Sequence, residues 1–180
     1  MKLCYIGPSG RQEALQKFLS PGVVLETRDT EGPSSIESMW EEYLSVPYTM
    51  DMAVQLEREG FDAIIPGCFG DPGLEAAKER AGVPVLGISE AAFHAAAMLG
   101  RRFGVVSFTR ALQPMFEDCL ARHGLAARCS GFRMGPEFTG DPGTVAEDRA
   151  ALVARLIDEA VWRAGAQAAN IARGPRCLLA

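Results

Sequence analysis

Ala63, Ile64 and Ile65 form an apolar run that leads directly into Pro66-Gly67-Cys68-Phe69-Gly70-Asp71-Pro72-Gly73-Leu74-Glu75. An apolar run without polar alternation reads as a strand covered on both faces, the kind found in parallel sheets flanked by helices. Asp71 is placed to cap the next helix, with Pro72 at its first helical position. Cys68 then falls where a buried strand meets the start of a helix, whose unpaired N–H groups and positive dipole end favour a thiolate and bind oxyanions. A free cysteine is also a small packing residue that proteins commonly bury. Between these readings Gly67 and Gly70 weigh toward chemistry, because flanking glycines let a ligand approach the backbone.

The rest of the chain repeats this alternation of short apolar runs and helical patterns. Leu3 to Ile6 is predicted as the first strand. It delivers Gly7-Pro8-Ser9-Gly10, either a ligand cradle or a plain turn, ahead of a helix with Ala14, Leu15, Phe18 and Leu19 on one face. Val23 to Leu25 is a second short strand. A helical segment bearing Met39, Trp40, Tyr43 and Leu44 is predicted to be interrupted by Pro47, and the helix that follows carries Ala53, Val54 and Leu56 as far as Gly60. Past the Cys68 loop, a helix runs from Pro72 to Ala81, then a strand from Val83 to Ile88. Ser89 caps a helix from Glu90 to Leu99. Phe103 to Phe108 is a further buried strand with Ser107 and Thr109 at its carboxyl end, where ligands gather in open α/β sheets. Pro114 begins a helix through His123 that Gly124 ends, and Leu125 to Met134 supplies another strand. After a turn-rich loop, Gly135 to Gly143, the capping box Thr144-Val145-Ala146-Glu147 opens a helix with Leu152, Val153, Leu156, Ile157, Ala160 and Val161 on its apolar face. The pattern predicts a doubly wound α/β protein with a first lobe over 1–100 and a second over 101–180.

Composition narrows the function. A net charge of −5 and the absence of any extended basic patch argue against a nucleic-acid surface. No apolar run approaches the roughly 18 residues of a membrane span. The apolar part of Met1 to Pro8 is too short for a secretory signal, so a cytoplasmic location is the default expectation. Cys4, Cys68, Cys119, Cys129 and Cys177 are widely and irregularly spaced with no C-x-x-C pair, and His94 and His123 have no spaced partners. Neither a disulfide framework nor a metal site is expected.

The loop Gly67-Cys68-Phe69-Gly70-Asp71-Pro72-Gly73-Leu74 resembles the first cysteine loop of the aspartate/glutamate/hydantoin racemase superfamily, and most of all its hydantoin and allantoin racemase branch. The likeness extends upstream through Gly32-Pro33-Ser34-Ser35-Ile36-Glu37-Ser38 and Pro47. Downstream it runs through Pro84 to His94 and Arg102 to Ser107 into Thr109. The resemblance implies two flavodoxin-like lobes related by pseudo-twofold symmetry, with the site between them. It implies cofactor-free chemistry on a small hydantoin-, allantoin- or amino-acid-like substrate. Cys68 would act as a thiol acid/base at an acidic C–H beside a carbonyl. Gly67, Phe69 and Gly70 would supply N–H donors, with Pro8, Ser9, Gly10, Ser107 and Thr109 contacting substrate. Where the branch has Asn-Pro-Asn-Thr at the first loop, only Pro8 matches in place.

Around this core the resemblance suggests supporting roles for Glu90 and His94, and a pocket-lining role for Glu37. Each has a plainer reading: His94 as a residue packed in an alanine-rich helix, and Glu37 as a solvated carboxylate in a first helical turn. The family pattern also calls for a second cysteine loop after Ala166. Gln167 to Ala180 reads instead as a poor strand, and Cys177 arrives late and without flanking glycines. The expectation is an incomplete second lobe, from a frameshift or early termination, and association into homo-oligomers that covers the exposed edge. Two alternatives follow. One is a one-cysteine decarboxylase or isomerase of the same superfamily, and the other a catalytically inactive relative that binds a small ligand.

Overall fold

The computed structural model describes residues 1–7, 11–107, 110–134 and 168–172. The loop 135–143, the 144–147 capping box and the apolar face from Leu152 to Val161 lie outside the described residues. The protein is a mixed α/β structure with parallel sheets. Its described residues divide into two compact units, one of residues 1–34 and 40–88, the other of 35–39 and those from 89 onward.

In the first unit, β1 (Lys2–Ile6) is central, with β2 (Val24–Arg28) and β3 (Ala63–Pro66) on either side, all parallel. Leu3 and Tyr5 join Leu25 and Ala63 in one apolar cluster, packed by Leu15 and Leu19. Cys4 and Ile6 join Ile64, Ala53, Leu56, Phe61, Leu74, Ala77 and Val85 in another. Alternate residues of one strand thus feed two cores, as the unbroken apolar runs predict. Leu15 in α1 (Gln12–Gln16) and Leu19 just after it pack on the first cluster as expected, but Phe18 is 71% exposed. The helix is too short to carry a continuous face that far.

Other predicted boundaries move for identifiable reasons. The two helical segments expected around Pro47 are one helix, α2 (Met39–Arg58). Proline forfeits one backbone bond and crowds the preceding turn, yet burial of Ser45, Thr49, Ala53 and Leu56 along the same helix holds it together. Gly60 ends it as predicted: its φ is +81°, its N–H donates to Glu57 O at 3.0 Å, and the Phe61 N–H reaches Leu56 O at 3.2 Å. That is the Schellman pattern. The strand expected over Val83–Ile88 contracts to a single bridge of Val85 to Ile64, flanked by bonds from Ile64 N to Pro84 O and Leu86 N to Ile64 O.

The second unit holds α4 (Ile88–Leu99), β4 (Phe103–Ser107), α5 (Gln113–Arg122), β5 (Cys129–Met134) and β6 (Ala168–Ala172), following α3 (Leu74–Arg80) of the first unit. All five residues of β4 are buried, and Phe93 of α4 stacks on Phe103 with ring centroids 5.9 Å apart. Gly124, with φ +68°, closes α5 by the same pattern as Gly60, through Gly124 N to Ala121 O and Leu125 N to Leu120 O. Ser89, expected to cap α4, lies within it, with its Oγ 3.0 Å from Cys119 Sγ. The tail segment that reads as a poor strand does pair: Ala168 to Ala172 runs parallel to Phe103 to Ser107. Ladder bonds are backbone groups, so an alanine-rich segment can fill an edge beside a strongly apolar strand.

Two glycines separate backbone strain from steric conflict. A Cβ on Gly60 would meet nothing within 4 Å, so Gly60→Ala should cost only its left-handed conformation, about 1 kcal/mol. A Cβ on Gly87 would collide with the Asp71 carboxylate and Leu74, so Gly87→Ala should cost clearly more in urea unfolding. Equal losses would contradict this reading.

Candidate functional site

The segment after β3 makes two successive turns before α3. Asp71 N donates to Cys68 O at 3.0 Å, and Leu74 N donates to Asp71 O at 3.1 Å. Asp71 therefore does not cap the helix from the position predicted. It is 1% exposed, with φ +52°, and helix α3 starts at Leu74 after Gly73 in the left-handed region. Short polar residues tolerate that conformation better than others. Cys68 is accordingly set back from the helix, and the contact that organises it is local: the Gly70 N–H points at its sulfur at 3.5 Å.

Gly67, Cys68, Phe69 and Gly70 are brought together on this turn. Phe69 and Gly70 are buried, whereas Cys68 and Gly67 are half-buried. The Gly67 N–H donates to Ile6 O at 2.9 Å, which ties the loop to the end of β1. Gly67 has no room for a side chain: a Cβ there would overlap Ile6 O and the Tyr5 ring. On its other side, the Tyr5 hydroxyl donates to Gly67 O at 3.0 Å and accepts from Arg11 Nη1 at 2.7 Å. Neither Tyr5 nor Arg11 is singled out by the sequence reading. A signal was present, since a tyrosine in a strand buried on both faces needs a partner for its hydroxyl.

The second unit carries the other predicted residues. Ser107, at the carboxyl end of β4, is fully buried, and its Oγ has no hydrogen-bond partner among the described residues. Glu90 and His94 stand on α4. The Glu90 carboxylate is 3.9 Å from His123 Nδ1, and the His94 ring meets the His123 ring edge-on with centroids 5.5 Å apart. His94 is exposed rather than packed, while the His123 side chain is 9% exposed. Glu37 accepts from Ser35 Oγ at 2.8 Å. Pro8, Ser9, Gly10, Thr109 and Cys177 lie outside the described residues. Among the described residues, no group of three or more His, Cys, Asp or Glu is arranged to hold a metal ion. No described helix is long and apolar enough to cross a membrane.

The cysteines differ in setting. Cys4 and Cys119 are fully buried. Burial pushes the Cys4 thiol from 9.0 up to about 11, against the opposing charge of Arg28. Burial likewise raises Cys129, partly offset by a hydrogen bond with the Gly131 backbone. Cys68 is half-buried and carries an N–H donor at its sulfur.

The family model for Asp/Glu/Hydantoin racemase matches residues 11–171. The chain belongs to that family. A hydantoin racemase from Pseudomonas sp. (strain NS671) is 41% identical over 115 residues, covering 62% of this chain and 46% of that protein. The chain thus spans about half the length of the curated relatives it matches. An allantoin racemase from Pseudomonas fluorescens superposes with a TM-score of 0.83 at 27% identity, covering 95% of this chain and 76% of that one. An allantoin racemase from Klebsiella pneumoniae shares the fold, with a TM-score of 0.88 at 23% identity over 96% of this chain and 74% of that one. The Cys68 loop lies inside the racemase-family match.

Two measurements check the thiol assignments. Brief treatment of the native protein with iodoacetamide, read by peptide mass spectrometry, should label Cys68 well ahead of Cys4 and Cys119, which should react only on unfolding; the reverse order would refute the assignment. Stability should also fall as pH rises from about 9 to about 11. Over that range the unfolded Cys4 loses its proton while the folded thiol keeps it, so stability present below pH 9 is lost on the way up. Cys4→Ala should flatten this slope in urea titrations, and an unchanged slope would count against the buried neutral thiol.

Proposed function

We propose that this chain acts as a cofactor-independent racemase of the hydantoin and allantoin type, with Cys68 moving the proton. The observation that carries the proposal is the Cys68 turn: a half-buried thiol with the Gly70 N–H aimed at its sulfur, on a loop whose glycine cannot be replaced without a collision. Its place inside the racemase-family match supports the same reading.

A hydrogen on carbon between a carbonyl and a nitrogen is weakly acidic. Cys68 as thiolate removes it, and the negative charge that develops on the carbonyl oxygen needs donors already in place. In this reading backbone N–H groups of the Cys68 turn serve that role. Reprotonation from the opposite face completes inversion. This requires a second acid. The two sheets support the lobe assignment that goes with the proposal. Each orders its strands second, first, third, as β2-β1-β3 and β5-β4-β6, the order that two flavodoxin-like lobes would share.

Proton NMR in D₂O on 5-substituted hydantoins, allantoin and amino acids tests the proposal. One of these should lose its acidic C–H signal with the protein present, and Cys68→Ser should reduce that rate at least 100-fold, the scale of losing a general base. Optical rotation on the same compound then distinguishes full inversion from one-sided exchange. Exchange that survives Cys68→Ser would sink the assignment.

A further inference from the structure

Tyr5 and Arg11 make a hydrogen-bonded chain that ends on the residue before the proposed catalytic thiol. Arg11 Nη1 donates to the Tyr5 hydroxyl at 2.7 Å, and that hydroxyl donates to Gly67 O at 3.0 Å. The order of donation is fixed by chemistry. A guanidinium has donors only, so its bond to the phenol oxygen occupies a lone pair and leaves the single hydroxyl hydrogen for the Gly67 carbonyl. The guanidinium carbon is also 5.8 Å from the centre of the Tyr5 ring, close enough for a cation–π contribution. Tyr5 is buried, and its ring occupies space that a Cβ on either Gly7 or Gly67 would need.

We propose that Tyr5 and Arg11 are positioning residues for Cys68, acting through the Gly67–Cys68 peptide. That peptide is planar and trans, so its carbonyl and its N–H point in opposite directions. Holding the Gly67 carbonyl toward Tyr5 sets the direction of the Cys68 N–H and with it the start of the Cys68 turn. The Gly67 N–H is fixed as well, to Ile6 O. With the peptides on both sides of Gly67 held, the turn that brings Gly70 N–H to the sulfur starts from one orientation. Charge assistance from Arg11 strengthens the Tyr5 bond. The inference rests on Cys68 being the reactive thiol. It assigns Tyr5 and Arg11 no contact with substrate.

The test has one readout that needs activity and one that does not. The first is the rate and pH profile of iodoacetamide modification at Cys68, by peptide mass spectrometry, in the wild type, Tyr5→Phe, Arg11→Gln, Arg11→Lys and the double variant Tyr5→Phe/Arg11→Gln. Losing one such bond should slow modification at neutral pH by about two- to tenfold and move the profile to higher pH. Arg11→Lys should retain most of the wild-type rate. The double variant should be no slower than Tyr5→Phe alone, because Arg11 acts through Tyr5. The second readout is D₂O exchange on a responsive compound, where kcat should fall by a similar factor with KM nearly constant. Superimposable alkylation profiles, effects that multiply in the double variant, or a rise in KM at constant kcat would each overturn the inference. If no compound exchanges even with the wild type, the racemase reading fails, and the alkylation series still decides the positioning role. Thermal unfolding identifies any variant that fails to fold. Should Tyr5→Phe be one, the Arg11→Gln and Arg11→Lys pair carries the comparison.

Discussion

Strand β1 sends Leu3 and Tyr5 into one apolar cluster and Cys4 and Ile6 into another, and a strand covered this way has no water at its flanks to satisfy backbone groups. Its ladder therefore has to continue past its own end. Gly7 N–H donates to Arg28 O at 2.7 Å, and Gly67 N–H donates to Ile6 O. These bonds extend the parallel pairing beyond β1 and β3 into the chain that follows them. The position of Cys68 is inherited from the sheet, since the residue before it is still part of the pairing pattern. A loop that merely left the sheet would carry its thiol through a range of positions, and proton transfer is sensitive to that spread.

The same constraint explains which glycines are needed and which only end helices. Gly60 and Gly124 supply left-handed backbone with nothing crowding them. Gly67 and Gly87 are required by neighbours: Ile6 O and Tyr5 at the first, the Asp71 carboxylate and Leu74 at the second. The Cys68 turn is thus closed in on two sides, by the β1 end through Gly67 and by Asp71 against Gly87. Asp71 is costly to bury and occupies a strained backbone region. Its side chain fits because the facing residue has no side chain of its own.

Much of this was legible in the sequence. Apolar runs without alternation pointed to the parallel strands β1 and β4, and glycine after a helical pattern gave the ends at Gly60 and Gly124. The misses share one origin, which is that local rules treat each residue by its own preference. Pro47 breaks a helix in isolation, but α2 is held by burial on both sides of it. Asp71 and Ser89 are good caps in isolation, but one is packed against Gly87 and the other against Cys119. Ala168 to Ala172 has weak strand preference and pairs because β4 offers it an edge. At the site, Cys68 and its glycines were visible as a motif. The Tyr5–Arg11 chain was not, because it joins residues from β1 and the start of α1 to a loop far along the sequence.

Ser107 poses a constraint of its own. It pairs in register with Ala172 at the carboxyl end of β4, buried in a fully buried strand with its hydroxyl lacking a partner among the described residues. A buried hydroxyl without a partner costs about 1–3 kcal/mol, and a bound carbonyl or amide would remove that cost. A hydroxyl is too weak an acid to replace a thiol in the proton transfer. In the proposed chemistry Ser107 therefore suits binding better than proton donation.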